Sequence, residues 1–292
     1  MRTRTRLLAL ALPLFVCAFV CAAAGARQKP AAQGGGGAVV FVVSKYENDV
    51  TAEPVVSYRG GKFENAPAAG DETASFAREY FRAGRKYRII SGGGDAGTLT
   101  ISKYQEPPGC VDPTAAATAD TTARLGGRIK VLATDSQTLG RGTPSRRAPT
   151  EAERARAVEL ARASYAKNGV AAALASKMEV VNLTATDLDR DGKFELVGSF
   201  VAGSKDASAT SYTLFLIMEP SGDGFKTAWE WFHKGAEEGY EDRHFVDQLD
   251  FDGDGVGEVI AEGTYYESYD YVIYKRQQGR WRPVFKGGGG GC

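Results

Sequence analysis

The chain has 292 residues, with 43% hydrophobic and 25% charged side chains and equal numbers of basic and acidic groups. That length accommodates two ordinary domains, and the balance excludes fibrous and intrinsically disordered classes. A net charge near zero gives no reason to expect nucleic acid or an anionic membrane as partner.

Residues 1–26 read as a secretory signal peptide. Arg2, Arg4 and Arg6 form a basic start, Leu7 to Cys21 an apolar core interrupted by Pro13, and Ala24-Gly-Ala26 suits cleavage before Arg27. An uncleaved anchor is the alternative, since roughly 17 apolar residues approach spanning length, but the small residues and the proline favour cleavage. Phe15-Val16 and Phe19-Val20 precede Cys17 and Cys21, where a lipoprotein needs small residues. The expected mature chain is secreted or periplasmic, with no membrane span, a charge of about −3, and two cysteines, Cys110 and Cys292. In an oxidising compartment these could pair as a disulfide; two idle thiols fit equally.

Residues 27–37 read as a flexible leader ending in four glycines. Val39 to Lys45 is a β-branched run, and Val55 to Tyr58 enters a hairpin turn at Arg59-Gly60-Gly61-Lys62. Asp71 to Ala83 fits a helix with Phe76, Ala77, Tyr80 and Phe81 on one stripe. Lys86 to Ser91 and Thr98 to Tyr104 form a second hairpin around Gly92-Gly93-Gly94, which lacks phosphate-loop spacing and reads as a turn. After Pro107-Pro108-Gly109-Cys110 comes a loop, then a strand from Arg128 to Ala133. These elements predict a small α+β domain over 38–136, followed by a Gly, Pro, Arg and Ser-rich linker over 137–149.

Thr150-x-x-Glu153 is a capping box that opens a helix with Ala157, Val158, Ala161 and Tyr165 on one face and Asn168-Gly169 as its stop. From Met178 the pattern turns to strands: Met178–Ala185, Leu196–Val201, Tyr212–Met218 and Phe225–Phe232. The order recurs as Phe245–Leu249, Val259–Tyr266, Tyr269–Lys275 and Trp281–Phe285, so residues 150–286 read as a helix plus two four-stranded repeats. A Gly-rich tail, 287–292, ends the chain. The predicted class is mainly β: a small N-terminal α+β domain, a linker helix and an antiparallel C-terminal domain of two blade-like units.

Each repeat carries an acidic loop, Asp187-Leu-Asp189-Arg-Asp191-Gly192-Lys193-Phe-Glu195 and Asp250-Phe-Asp252-Gly-Asp254-Gly255-Val256-Gly-Glu258. Four carboxylates in nine residues repel one another unless a cation sits among them or water solvates the loop. Calcium takes six to eight oxygen ligands at flexible angles; positions 1, 3 and 5 of a tight loop converge, a later backbone carbonyl fills in, and glycine at position 6 permits the turn.

Asp-x-Asp-x-Asp-Gly-x-x-Glu before a short apolar strand, once per four-stranded unit, resembles the FG-GAP and VCBS calcium-binding repeats of integrin-α-type propellers, over residues 178–286. The resemblance implies two calcium sites: Asp187, Asp189, Asp191, the Lys193 carbonyl and Glu195, then Asp250, Asp252, Asp254, the Val256 carbonyl and Glu258. Only Gly198 survives of the family's apolar-Gly-Ala-Pro continuation in the first copy, and Ala261 stands there in the second. A closed propeller needs at least four blades, so a two-sheet stack sealed by the helix stands beside it. An EF-hand is excluded because Gly198 and Ala261 occupy the position of its twelfth-place glutamate.

The only histidines, His233 and His244, lack a cysteine, serine or second histidine at useful spacing, and no nucleophile-elbow, zinc-protease or P-loop motif occurs. No enzyme is predicted. Trp229 and Trp231 share a strand face and could stack on sugars or meet a partner, although packing explains them as readily. The expected role is therefore an exported calcium-binding protein with a structural, adhesive or interaction function and a protein or glycan partner. A carbohydrate-binding envelope module is the alternative, and a hydrolase a further one.

Overall fold

In the computed structural model, residues 37–66, 72–106, 112–203 and 209–291 are described. The expected signal peptide, residues 27–36 of the leader, and Cys110 and Cys292 lie outside them. The first ordered segment is the β-branched run, as β1 (Ala38–Tyr46), which turns back into β2 (Asp49–Arg59) and a short β3 (Lys62–Glu64). Helix α1 (Glu72–Tyr80) precedes β4 (Lys86–Ser91), β5 (Gly94–Gln105), β6 (Thr114–Thr121) and β7 (Val131–Thr134). Successive strands pair in the order β1-β7-β4-β5-β6-β2, and β1 also pairs with β2, which closes a six-stranded antiparallel barrel with β3 added outside β2.

The expected α+β domain is thus a barrel carrying one short helix. The difference comes from β6, whose Thr-Ala-Ala-Ala-Thr-Ala-Asp-Thr sequence has no Val, Ile or aromatic residue and reads as loop. It forms a strand by pairing with β5 and β2 on its two edges, and its inward side chains, Ala115 and Ala117, fit beside the large ones that fill the barrel. Alternation then divides β1: Val39, Phe41 and Val43 fill the barrel with Phe76, Tyr80 and Phe81 around α1, and Val40 and Val42 face outward.

The second half follows the predicted order. Short β8 (Arg146–Arg147) precedes helices α2 (Glu151–Lys167) and α3 (Ala172–Ala175). The Thr150 hydroxyl accepts from Glu153 N, and the Glu153 carboxylate accepts from Thr150 N, which completes the predicted capping box. Strands β9 (Glu179–Thr186), β10 (Glu195–Gly203), β11 (Ser211–Ser221) and β12 (Gly224–Gly235) form a meander, with β8 added beside β9. Strands β13 (Glu241–Leu249), β14 (Glu258–Tyr265), β15 (Ser268–Gln277) and β16 (Arg280–Gly291) form the second, four-stranded meander.

These layers stack through separate cores. Helix α2 covers one face of the five-stranded sheet through Ala157, Ala161 and Tyr165 against Leu196, Phe200 and Leu214. The other face, with Val197, Phe215 and Ile217, packs on Val259, Val272 and Trp281 of the four-stranded sheet. That sheet in turn presents Ile260, Tyr271 and Ile273 to Val40, Val42, Val55 and Leu132 on the barrel wall. The described residues accordingly form one compact unit.

Two stretches expected to be loose are tightly held. The supposed linker crosses between layers: Asp95 N donates to Gly142 O, Ser145 N to Gly92 O, and Asp187 N to Ser145 O. Gly94 meets this strap so closely that an added Cβ would lie 2.3 Å from Pro144 N. The glycine run 287–291, expected as a tail, continues β16 through a bulge at Gly288-Gly289, with Tyr269 opposite Gly290 and Ser268 opposite Gly291. A Cβ on Gly289, at φ +93°, would lie 2.1 Å from Tyr269 O, so close backbone approach explains the glycines.

Candidate metal centre

Each acidic loop joins the first two strands of its meander, and both fold alike. Position 4 has positive φ, +57° at Arg190 and +73° at Gly253, and so does position 6, +87° at Gly192 and +91° at Gly255. Gly192 N donates to Asp187 Oδ2 at 3.1 Å, as Gly255 N does to Asp250 Oδ2 at 3.0 Å. Lys193 N donates to Asp191 Oδ1 at 2.7 Å, and Val256 N to Asp254 Oδ1 at 2.9 Å. Leu188 N donates to Glu195 Oε2 at 2.8 Å, and Phe251 N to Glu258 Oε2 at 2.9 Å. Matching backbone turns and matching acceptors make the repeat structural as well as sequential.

The second position of each loop anchors it in a different core, Leu188 between the two sheets and Phe251 between the four-stranded sheet and the barrel. The ninth position follows the same division. Glu195 shares a strand face with Val197, and Glu258 with Ile260. The loops touch directly: Gly257 N donates to Leu188 O at 2.7 Å, and Gln248 Nε2 to Asp187 O at 2.9 Å.

Carboxylate placement differs between the copies. In the first loop, oxygens of Asp187, Asp189 and Glu195 all lie within 4.8 Å of one another. Asp187 is only 8% exposed, and its Oδ1, like Asp189 Oδ1, is buried without a hydrogen-bond partner. Burial, with Asp189 and Asp187 close by, pushes the Glu195 carboxyl up to about 7. A buried, unpaired carboxylate oxygen is costly, and a hard cation is the partner such an oxygen set takes. Asp191, expected as a ligand, stands outside this group and pairs with the Lys193 ammonium at 3.4 Å. Arg276 reaches one of the three, with Nη1 3.3 Å from Asp189 Oδ2, and leaves Asp189 Oδ1 unpartnered.

In the second loop, the converging set is Asp250, Asp252 and Asp254. Asp250 accepts from Gly253 N at 2.7 Å as well as from Gly255 N, so both its oxygens are engaged. Lys275 enters this group, with Nζ 3.0 Å from Asp252 Oδ1, 3.3 Å from Asp254 Oδ2 and bonded to Glu258 Oε1. Burial alone would lower that ammonium; Glu258 and Asp252 outweigh it and hold the group above its usual value. Lys193 and Val256, expected to offer their carbonyls, occupy corresponding places, each donating its N–H to the aspartate at position 5.

Sequence reasoning did not find Lys275 or the buried ion pair beneath the loops. Asp247, fully buried, receives Arg146 Nη1 at 3.0 Å, Gly92 N at 2.7 Å and Gln248 N at 2.8 Å. It joins the strap, the Gly92-Gly93 turn of the barrel and the strand that leads into the second loop. The one available signal was an acid at an otherwise apolar strand position, Phe245-Val246-Asp247.

The remaining predicted residues are built into the packing. Trp229 and Trp231 are half-buried against the core between the sheets. Trp229 lies 5.8 Å from the Tyr274 ring, and Trp231 has the Arg243 guanidinium over its ring at 4.7 Å and a near-parallel His233 ring at 5.9 Å. His233 Nε2 bonds Gly239 O, and His244 Nε2 lies 3.2 Å from Asp242 Oδ2. Among the described residues no helix is long and apolar enough to cross a membrane. No family model, curated protein or solved structure matches this chain.

Proposed function

We propose that this chain is an exported calcium-binding protein in which calcium, held by the acidic loops, stabilises the stacked C-terminal β repeats for a structural, adhesive or protein-interaction role. The observation that carries the reading is the first loop, where oxygens of Asp187, Asp189 and Glu195 converge and Asp187 Oδ1 and Asp189 Oδ1 are buried without a partner. An all-oxygen, carboxylate-rich set is hard and anionic, which favours calcium over metals that prefer nitrogen or sulfur. The two loops' shared turns agree with the proposed kinship to FG-GAP and VCBS repeats. Because Leu188 and Glu195 belong to the junction between the two sheets, an ion there acts on the packing of layers.

The test is thermal melting with and without calcium. At a concentration tenfold above Kd one site adds about 1.4 kcal/mol, a rise of roughly 3–6 °C in Tm. Asp187→Ala removes that rise. Identical melting in calcium and in chelator refutes the proposal.

A further inference from the structure

The two acidic loops share a backbone but are neutralised differently. Lys275 and Arg276 are consecutive on β15 and leave opposite faces of the sheet. Lys275 points to the barrel side and meets three carboxylates of the second loop; Arg276 points to the other sheet and reaches Asp189 and Glu219. The Lys275 side chain is 17% exposed and lines a groove of about 510 Å³ with Tyr58, Phe63, Asp252 and Glu258.

The position equivalent to Lys275 in the first repeat is an acid. Val259 pairs with Tyr274, so Glu258 and Lys275 are the next pair along; Leu196 pairs with Met218, so Glu195 and Glu219 are the next pair there. Glu219 is engaged by Trp281 Nε1 at 3.1 Å and by Arg276 at 3.5 Å. The first repeat therefore brings no cation from its own sheet into the loop, and its buried oxygens on Asp187 and Asp189 stay unpartnered. None of the second loop's carboxylate oxygens is among the buried unpartnered atoms of the described residues.

We infer that Lys275 serves as the built-in counter-cation of the second loop, so that the chain takes one calcium ion, in the first loop, and holds the second repeat without one. The ammonium bonds the carboxylates that an ion would bridge, and the strand that carries it is tied into the sheet on both sides. A divalent ion could enter only by expelling Lys275 from three partners, whereas in the first loop Asp187 Oδ1 and Asp189 Oδ1 are unpartnered and Arg276 holds the other Asp189 oxygen. The inference rests on the calcium reading for the first loop only.

Titration calorimetry with calcium on wild type, Asp187→Asn, Lys275→Met and the double variant tests it. Methionine keeps most of the stem that lines the groove and removes the charge. The expected stoichiometries are one, zero, two and one. Two ions in wild type, with one surviving in Asp187→Asn, overturns the inference and leaves the calcium reading standing. One ion in wild type that survives Asp187→Asn overturns it too, because the ion then sits in the second loop. Failure of Lys275→Met to gain a site overturns it whatever wild type does. No ion in wild type but one in Lys275→Met refutes the first-loop reading and with it the one-ion count, and leaves only Lys275 as counter-cation of the second loop standing. Should Lys275→Met fold poorly, Lys275→Gln gives the same readout, and recovery of its melting temperature in calcium but not in magnesium reports the new site.

Discussion

Replacing Asp247 by alanine is the sharpest test of how the layers are held together. The carboxylate is fully buried and is shared by Arg146 from the strap, Gly92 N from the barrel turn and Gln248 N. Alanine leaves the guanidinium with only the carbonyls of Lys130 and Val246 as acceptors, and it strands the Gly92 N–H. Removing one partner of a buried pair costs about 3–5 kcal/mol, and a stranded N–H by itself about 1–3 kcal/mol; the two overlap, so the expected loss is about 4 kcal/mol. Urea unfolding at neutral pH measures it. Arg146→Met alone costs a similar amount, whereas the double variant costs far less than the sum, because neither charge is then left unpaired. Asp247→Asn isolates the charge, since its side-chain oxygen still accepts from Gly92. A loss below about 1 kcal/mol in Asp247→Ala, or additive single and double losses, refutes the argument.

Three further substitutions follow from the structure. Burial pushes the Glu53 carboxyl up to about 7, partly offset by the Tyr269 hydroxyl, and its Oε1 has no partner. The folded state therefore favours neutral Glu53: its stabilisation is complete below the unfolded value near 4.5 and is lost as pH rises through 7. Glu53→Gln is thus neutral near pH 4 and more stable than wild type by about 2 kcal/mol at pH 8, allowing for partial exposure; melts at both pH values decide, and a pH-independent difference counts against it. At the barrel turn, Gly94→Ala forces a methyl against Thr143 and Pro144 backbone and costs about 1–3 kcal/mol. Gly239→Ala, whose Cβ meets nothing within 4 Å, stays within about 0.5 kcal/mol of wild type in the same urea assay.

Local chemistry made much of this chain readable. The Thr150–Glu153 box, the Gly60-Gly61 turn and the two acidic loops each depend on residues a few positions apart, so spacing alone carries them. The strands of the two meanders were legible for the same reason, because short β-branched apolar runs such as Val259-Ile260, bounded by turn residues, are written directly in the sequence. The converging acids were also visible, but the division of labour within them was not. Asp191 turns out to Lys193, while Glu195 turns in, and a pattern of aspartates at alternate positions cannot distinguish these.

What the sequence by itself determined was which segments extend, where they turn and where carboxylates cluster, since those follow from the conformational preferences of neighbouring residues. Only the tertiary structure decided that β1 closes a barrel between β2 and β7, that the alanines of β6 fit inside it, and that the final glycines wedge against Tyr269. It also decided that one loop receives Lys275 and the other does not. Pairing of strands distant in sequence sets these outcomes, because which side chain arrives at a given carboxylate depends on the register of the neighbouring strand, and register is fixed by the packing of whole layers.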